Sequence, residues 1–165
     1  MKILAISPVT KRLGAAVFEN TELIYFAVAT VKSKNITQSL QTRISQTVRN
    51  LISEFEPALV VVKTLNKQQE KSKNLRLAIR QIKSECQTAK IQTEEISLES
   101  VKKLLCIDNK KTKTNAFATL ANFYPELRRF LHQPNKWQRE YYDAMLSAIA
   151  VGFYRRSDIL KRRLD

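Results

Sequence analysis

The spacing of apolar residues changes after Val31 from short strand-like runs to a helix period, and that change limits the fold more than any other feature. Up to Val31 the apolar residues come in short runs, Ile3 to Ile6, Leu13 to Phe18 and Leu23 to Val31, separated by the turn-like Pro8 to Lys11 and Glu19 to Glu22. Runs of this length between polar turns predict β-strands, the second and third joined as a hairpin. From Ile36 onward, Leu40, Ile44, Val48, Leu51, Ile52 and Phe55 recur mostly at steps of three and four, which places them on one helix face. Pro57 cannot extend a helix and predicts its end.

Downstream the two periods alternate. Ala58 to Val62 is a β-branched run suited to a buried strand. Leu75, Ile79, Ile82 and Cys86 mark a helix, Ile91 to Ile96 a short strand, and Ser97 an N-cap for a helix carrying Val101, Leu104 and Leu105. Beyond the polar stretch Asp108 to Thr114, helical segments run to Leu131 with a break near Pro125. A final helix carries Tyr142, Met145, Ile149 and Phe153 on one face. The order β-β-β-α-β-α-β-α-α predicts an α/β fold. Its mixed five-stranded sheet has three leading antiparallel strands and two further parallel strands, with helices on both faces. A chain of 165 residues suits one domain over 1–165, with a basic C-terminal tail from about Arg155.

The charge balance narrows the partner. There are 29 Lys plus Arg against 15 Asp plus Glu, a formal net charge of +14. Such a surplus favours a polyanion, because Lys and Arg displace counterions from phosphates. No cationic amphipathic anchor points to a membrane. With only Gly14 and Gly152, a Gly-rich phosphate loop is excluded. Cys86 and Cys106 lack CxxC spacing and His132 stands alone, so neither a disulfide framework nor a zinc site is expected. The apolar N-terminus is too short for a signal peptide or a span, and the expected compartment is the cytoplasm.

Four blocks, in order, resemble the RuvC and YqgF groups of Holliday junction resolvases, within the RNase H-like superfamily. Ile3 to Gly14 resembles their first strand and turn, an apolar run followed by Asp-Pro-Gly or Asp-Tyr-Gly, then a basic residue and Gly. Glu54 to Lys63 resembles the Pro-led strand that ends in a catalytic Glu. Lys102 and Lys103, with Lys113 eleven residues after Lys102, resemble a pair of functional lysines. Glu140 to Met145 resembles the closing helix, whose Asp-x-x-Asp-Ala pattern supplies the last metal-binding carboxylates. The departures matter more. The first-strand Asp is Ser7, the Gly two residues on is Val9, and the second-strand Glu is Lys63; carboxylates survive only at Glu140 and Asp143.

The resemblance implies phosphodiester hydrolysis by two Mg²⁺ ions. Mg²⁺ requires hard oxygen ligands anchored by carboxylates. A serine hydroxyl at the first position is a poor substitute, and an ammonium at the second repels the metal. At an effective dielectric of ~20, unit charges ~4 Å apart interact by ~4 kcal/mol, and a divalent ion doubles that. The expectation is therefore a pseudo-nuclease that binds branched or double-stranded DNA with no cofactor. Lys63 is expected to pair with Asp143 in place of the metal; alternatively, Glu140 and Asp143 pair with Arg139 or other basic neighbours along the helix.

Phosphate contacts are expected from Lys102, Lys103, Lys110, Lys111 and Lys113. A second set, Arg76, Arg80 and Lys83, shares a helix face in a region that also carries Lys67, Lys71 and Lys73. Trp137 is open to two readings, a base stack or a helix-entry staple. Two other functions compete with the leading one. The first is a Mg²⁺-dependent structure-specific endonuclease working through Asp143, Glu140, Asp108 or Glu19. The second is a protein-interaction scaffold that has lost both chemistry and nucleic acid. A homodimer is implied by the resemblance alone.

Overall fold

The computed structural model describes residues 1–31 and 39–164. The three leading runs form β1 (Lys2–Val9), β2 (Arg12–Glu19) and β3 (Glu22–Thr30), each antiparallel to the next. Beyond them β4 (Leu59–Lys63) lies parallel to β1, and β5 (Gln92–Ile96) parallel to β4. The sheet order is β3-β2-β1-β4-β5, the mixed five-stranded arrangement that the periodicity predicts.

The helices begin where hydroxyl caps stand. Ser39, Ser72, Ser97 and Thr112 each accept a hydrogen bond from the backbone N–H three residues on, satisfying one of the orphan donors of a first turn. These caps open α1 (Leu40–Phe55), α2 (Lys73–Thr88), α3 (Leu98–Leu105) and α4 (Lys113–Phe123). The helix expected from Ile36 is thus described from Leu40; Ile36 lies outside the described residues. Glu56, in the left-handed region at φ 47°, ends α1 before Pro57. The segments expected up to Leu131 resolve into α4 and a 3₁₀ turn from Pro125 to Phe130, so three helices close the chain where the predicted order counts two.

Alternation along the strands divides the core into two layers. Leu4, Ile6, Val60 and Val62 pack with α1 and α2 on one face. Ile3, Ala5, Leu59 and Val61 pack with α3, α4 and α5 (Lys136–Leu164) on the other. Every residue of α5 from Ala144 to Phe153 is buried. Both glycines serve this contact: a Cβ on Gly14 would overlap the Ala144 carbonyl, and one on Gly152 would lie 2.5 Å from the Phe18 ring. The expected basic tail continues α5 to Leu164, and its first cation is anchored, with Arg155 bonded to Glu94 and Asp158 at 2.9 Å each. Among the described residues no helix is long and apolar enough to cross a membrane.

Candidate functional site

Strand parity decides what the α5 face presents at the carboxyl ends of β1 and β4. Ser7 continues the series Ile3, Ala5, and Lys63 continues Leu59, Val61, so both point toward α5. The parallel register pairs Ile6 with Val62, and the next step along both strands brings Ser7 beside Lys63. Ser7 is opposite Gly14 on β2, where α5 makes its closest approach through Ala144. That contact sets Asp143 and Ser147, one turn apart on α5, over the strand ends.

The result is a cleft of about 400 Å³ whose lining includes Val9, Lys63, Gln69, Lys102, Lys113, Asp143 and Ser147. Lysines outnumber carboxylates four to three along it: Lys63, Lys67, Lys102 and Lys113 against Glu70, Glu99 and Asp143. The lysine expected to reach Asp143 is not the one that does. Lys113, at the start of α4, donates to Asp143 Oδ2 at 2.8 Å. The Lys63 ammonium instead donates to the Thr64 carbonyl at 3.3 Å and to Gln69 Oε1 at 3.4 Å. The expected Lys63–Asp143 ion pair is therefore corrected. The polar connection after β4 takes the ammonium, and the nearer α4 lysine takes the carboxylate. Gln69 is held for this role by reciprocal bonds, donating its N–H to Asn66 Oδ1 at 2.8 Å and accepting the Asn66 N–H at 3.1 Å.

Lys63 is 6% exposed. Burial pulls its pKa below the ordinary lysine value, the nearby Lys113 charge pulls it further, and Asp143 opposes both. Ser7 is wholly buried, and its hydroxyl has no hydrogen-bond partner among the described residues.

The remaining acidic candidates do not converge here. Glu140 is exposed and pairs with Lys136 at 3.7 Å, one turn back on its own helix. For Glu140 this is the neighbour-pairing alternative, met by Lys136 and not Arg139; Asp143 departs from it, pairing with Lys113 of α4. Glu19 stands opposite Lys2 at the other end of the sheet, five residues or roughly 17 Å along the strand from the Ser7 level. Asp108 lines a different cavity, with Leu104, Phe123 and Phe153. These positions test poorly against a divalent pair. One ligand is a neutral hydroxyl, one an ammonium, one a carboxylate already bonded to a lysine, and one faces solvent. Among the described residues no cluster of three His, Cys, Asp or Glu is placed to hold a metal ion. The donor set does not fit Mg²⁺.

The structure brings together part of the expected basic set. Lys102 and Lys113 line the cleft, and Lys102 also bonds Glu99 at 2.9 Å. Lys103, Lys110 and Lys111 are exposed at the end of α3 and on the link to α4. Arg76, Arg80 and Lys83 lie along α2, with Lys83 bonded to Glu95 at 2.9 Å. Arg76 and Arg80 line a second depression that shares Thr64, Leu65 and Glu70 with the main cleft, so the two basic regions adjoin. Sequence reasoning missed Asn66 and Gln69, which stand in a polar loop with no periodicity to single them out. It also missed Arg12, whose guanidinium lies over the rings of Trp137 and Tyr141.

No protein-family model matches the chain, and no curated protein matches it by sequence. Solved structures do match. RuvC of T. thermophilus in complex with a Holliday junction substrate aligns with a TM-score of 0.72 at 17% identity, covering 96% of each chain. The yeast mitochondrial Holliday junction resolvase aligns at 0.66 and 14%, over 97% of this chain and 80% of that one. The fowlpox virus resolvase, solved with Holliday junction DNA, aligns at 0.58 and 13%, over 97% and 99%. The agreement runs almost end to end, and the chain has the RNase H-like fold of the RuvC-type Holliday junction resolvases.

Proposed function

We propose that this protein binds branched or double-stranded DNA across the lysine-lined cleft and does not cut it by a two-metal route. The observation that carries the reading is the buried ammonium of Lys63 at the strand end, beside Ser7 and with Lys113 occupying Asp143. A nuclease of this fold concentrates negative charge there to gather cations. Here the lining is net positive, which suits a phosphate directly. Lys63, when protonated, supplies a positive charge on the cleft floor, where low dielectric strengthens its field. Lys113 and Lys102 sit on the walls in partly exposed pairs, so an incoming phosphate can exchange for Asp143 and Glu99 at little net cost. The junction complexes of the T. thermophilus and fowlpox proteins support branched DNA as the partner class. A two-fold dimer of the resolvase kind would set two clefts on one junction.

The test is a four-way junction and a linear duplex titrated in EDTA and again in Mg²⁺ or Mn²⁺, with the strands followed for cleavage. Binding that needs no metal and leaves the strands intact is expected. Metal-dependent cutting by the native protein would overturn the reading. The double variant Ser7→Asp with Lys63→Glu, which restores both acids, is expected to gain metal-dependent cutting.

A further inference from the structure

At the edge of the cleft stands an aromatic group that the phosphate-binding role does not use. Trp137, on the first turn of α5, is 60% exposed. It stacks on Tyr141 with ring centroids 5.3 Å apart and an interplanar angle of 23°. The Arg12 guanidinium lies 5.5 Å from the Trp137 centroid and 5.4 Å from that of Tyr141, tying both rings to the start of β2. Arg12 is the strand partner of Val9, which lines the cleft. Trp137 precedes Asp143 by six residues on one helix, roughly 9 Å along its axis. The stack therefore borders the phosphate-binding region.

An aromatic pair four residues apart is an ordinary way to cover a helix surface. This one differs in leaving most of the indole open to solvent, where burial in the core would have been the stabilising outcome. Cations adjoin it. The Arg12 guanidinium lies over both rings, Lys136 is next to Trp137 in sequence and Lys11 next to Arg12, with Glu140 as the nearby acid, 3.7 Å from Lys136. A rigid, open indole face among cations fits a flat, apolar ring attached to a phosphate. Paired bases inside a duplex have both faces covered by their neighbours, so they offer nothing to such a surface.

We propose that Trp137, braced by Tyr141 and Arg12, is a stacking platform for an unpaired base, and that it directs the protein to DNA with unstacked nucleotides. This rests on the nucleic-acid reading above and deepens it. The lysines hold phosphates of any DNA, while the platform discriminates branched or single-stranded segments from continuous duplex.

Trp137 is the sole tryptophan of the chain, so its emission reports on the site directly. Labelled oligo-dT, a four-way junction carrying unpaired thymines at its branch point, and a linear duplex are titrated while DNA anisotropy and tryptophan emission are followed together. Saturable quenching is expected with the first two, and binding without quenching with the duplex. Trp137→Ala is expected to weaken oligo-dT binding about tenfold or more, to leave duplex binding within about twofold, and to be rescued by Trp137→Phe. Because the ring is exposed, the fold should survive; a thermal melt checks it. Oligo-dT binding with unchanged emission and unchanged affinity in Trp137→Ala overturns the platform and leaves the broader reading standing. Absence of anisotropy change with every DNA overturns both.

Discussion

Replacing Lys63 by methionine should stabilise the protein while weakening its hold on DNA. Methionine keeps an unbranched stem of similar length and discards the charge. The native ammonium is 6% exposed and is bonded to two neutral oxygens at 3.3 and 3.4 Å. Both bonds are long for N–H···O, and a second cation, Lys113, lies near. Its desolvation is thus incompletely offset. Exchanging buried ionic groups for packed apolar ones commonly gains about 1–4 kcal/mol. A single, partly compensated ion belongs at the lower end, about 1–2 kcal/mol. For a chain of this size that corresponds to a rise in Tm of about 2–8 °C. The pH dependence gives the sign. Lys63 titrates lower in the folded state than in the unfolded chain, so well below the folded value both states carry the charge and folding bears the full penalty. As pH rises from the folded value toward the ordinary 10.5, the unfolded state binds more protons and the penalty fades. Thermal melts of both proteins between pH 7 and 10 should therefore show the advantage of Lys63→Met greatest near neutrality and shrinking upward. A variant that melts lower than the native chain, by a gap indifferent to pH, would refute the reasoning. It would mean that the attraction of Asp143 outweighs burial.

Other perturbations separate this site from a nuclease centre. Asp143→Asn frees Lys113 for phosphate and should raise DNA affinity severalfold, read by anisotropy at constant salt; a fall in affinity would speak for a carboxylate that binds through metal. Stability should change by no more than about 1 kcal/mol, since the Lys113–Asp143 pair is 45% and 31% exposed. Changing Lys102, Lys103, Lys110, Lys111 and Lys113 together to glutamine should flatten the log–log salt dependence of binding by about 0.9 for each phosphate no longer neutralised. An unchanged slope would move the DNA to another surface.

The frame was legible because the signals that specify it are local. Short β-branched runs, helix-period stretches and the Ser97 cap each act within a few residues, and the positions of Ser7, Lys63 and Asp143 follow from strand parity and one helix repeat. Pairing within the site was not legible. Whether Asp143 meets Lys63 or Lys113 depends on where the start of α4 lies against α5, a tertiary distance with no trace in spacing. The same holds for Glu140, whose place in a familiar pattern suggested a ligand although its own helix offers Lys136 one turn away. Arg12 meets Trp137 across 125 positions of sequence, beyond the reach of any periodicity.

Strand ends explain how such a site can change sign without losing its shape. Ser7 and Lys63 terminate the apolar series of β1 and β4, and the backbone register that sets them side by side is held by Leu4, Ile6, Val60 and Val62 on the other face. Exchanging an acid for a hydroxyl or an amine at those ends alters none of that packing, because the core lies one residue earlier on each strand. The close approach of α5 is likewise set by Gly14 and Ala144 and not by the charges beside them. Chemistry and scaffold are therefore separable here. On the proposed reading, the same frame presents lysines to phosphate with no change in the packing beneath them.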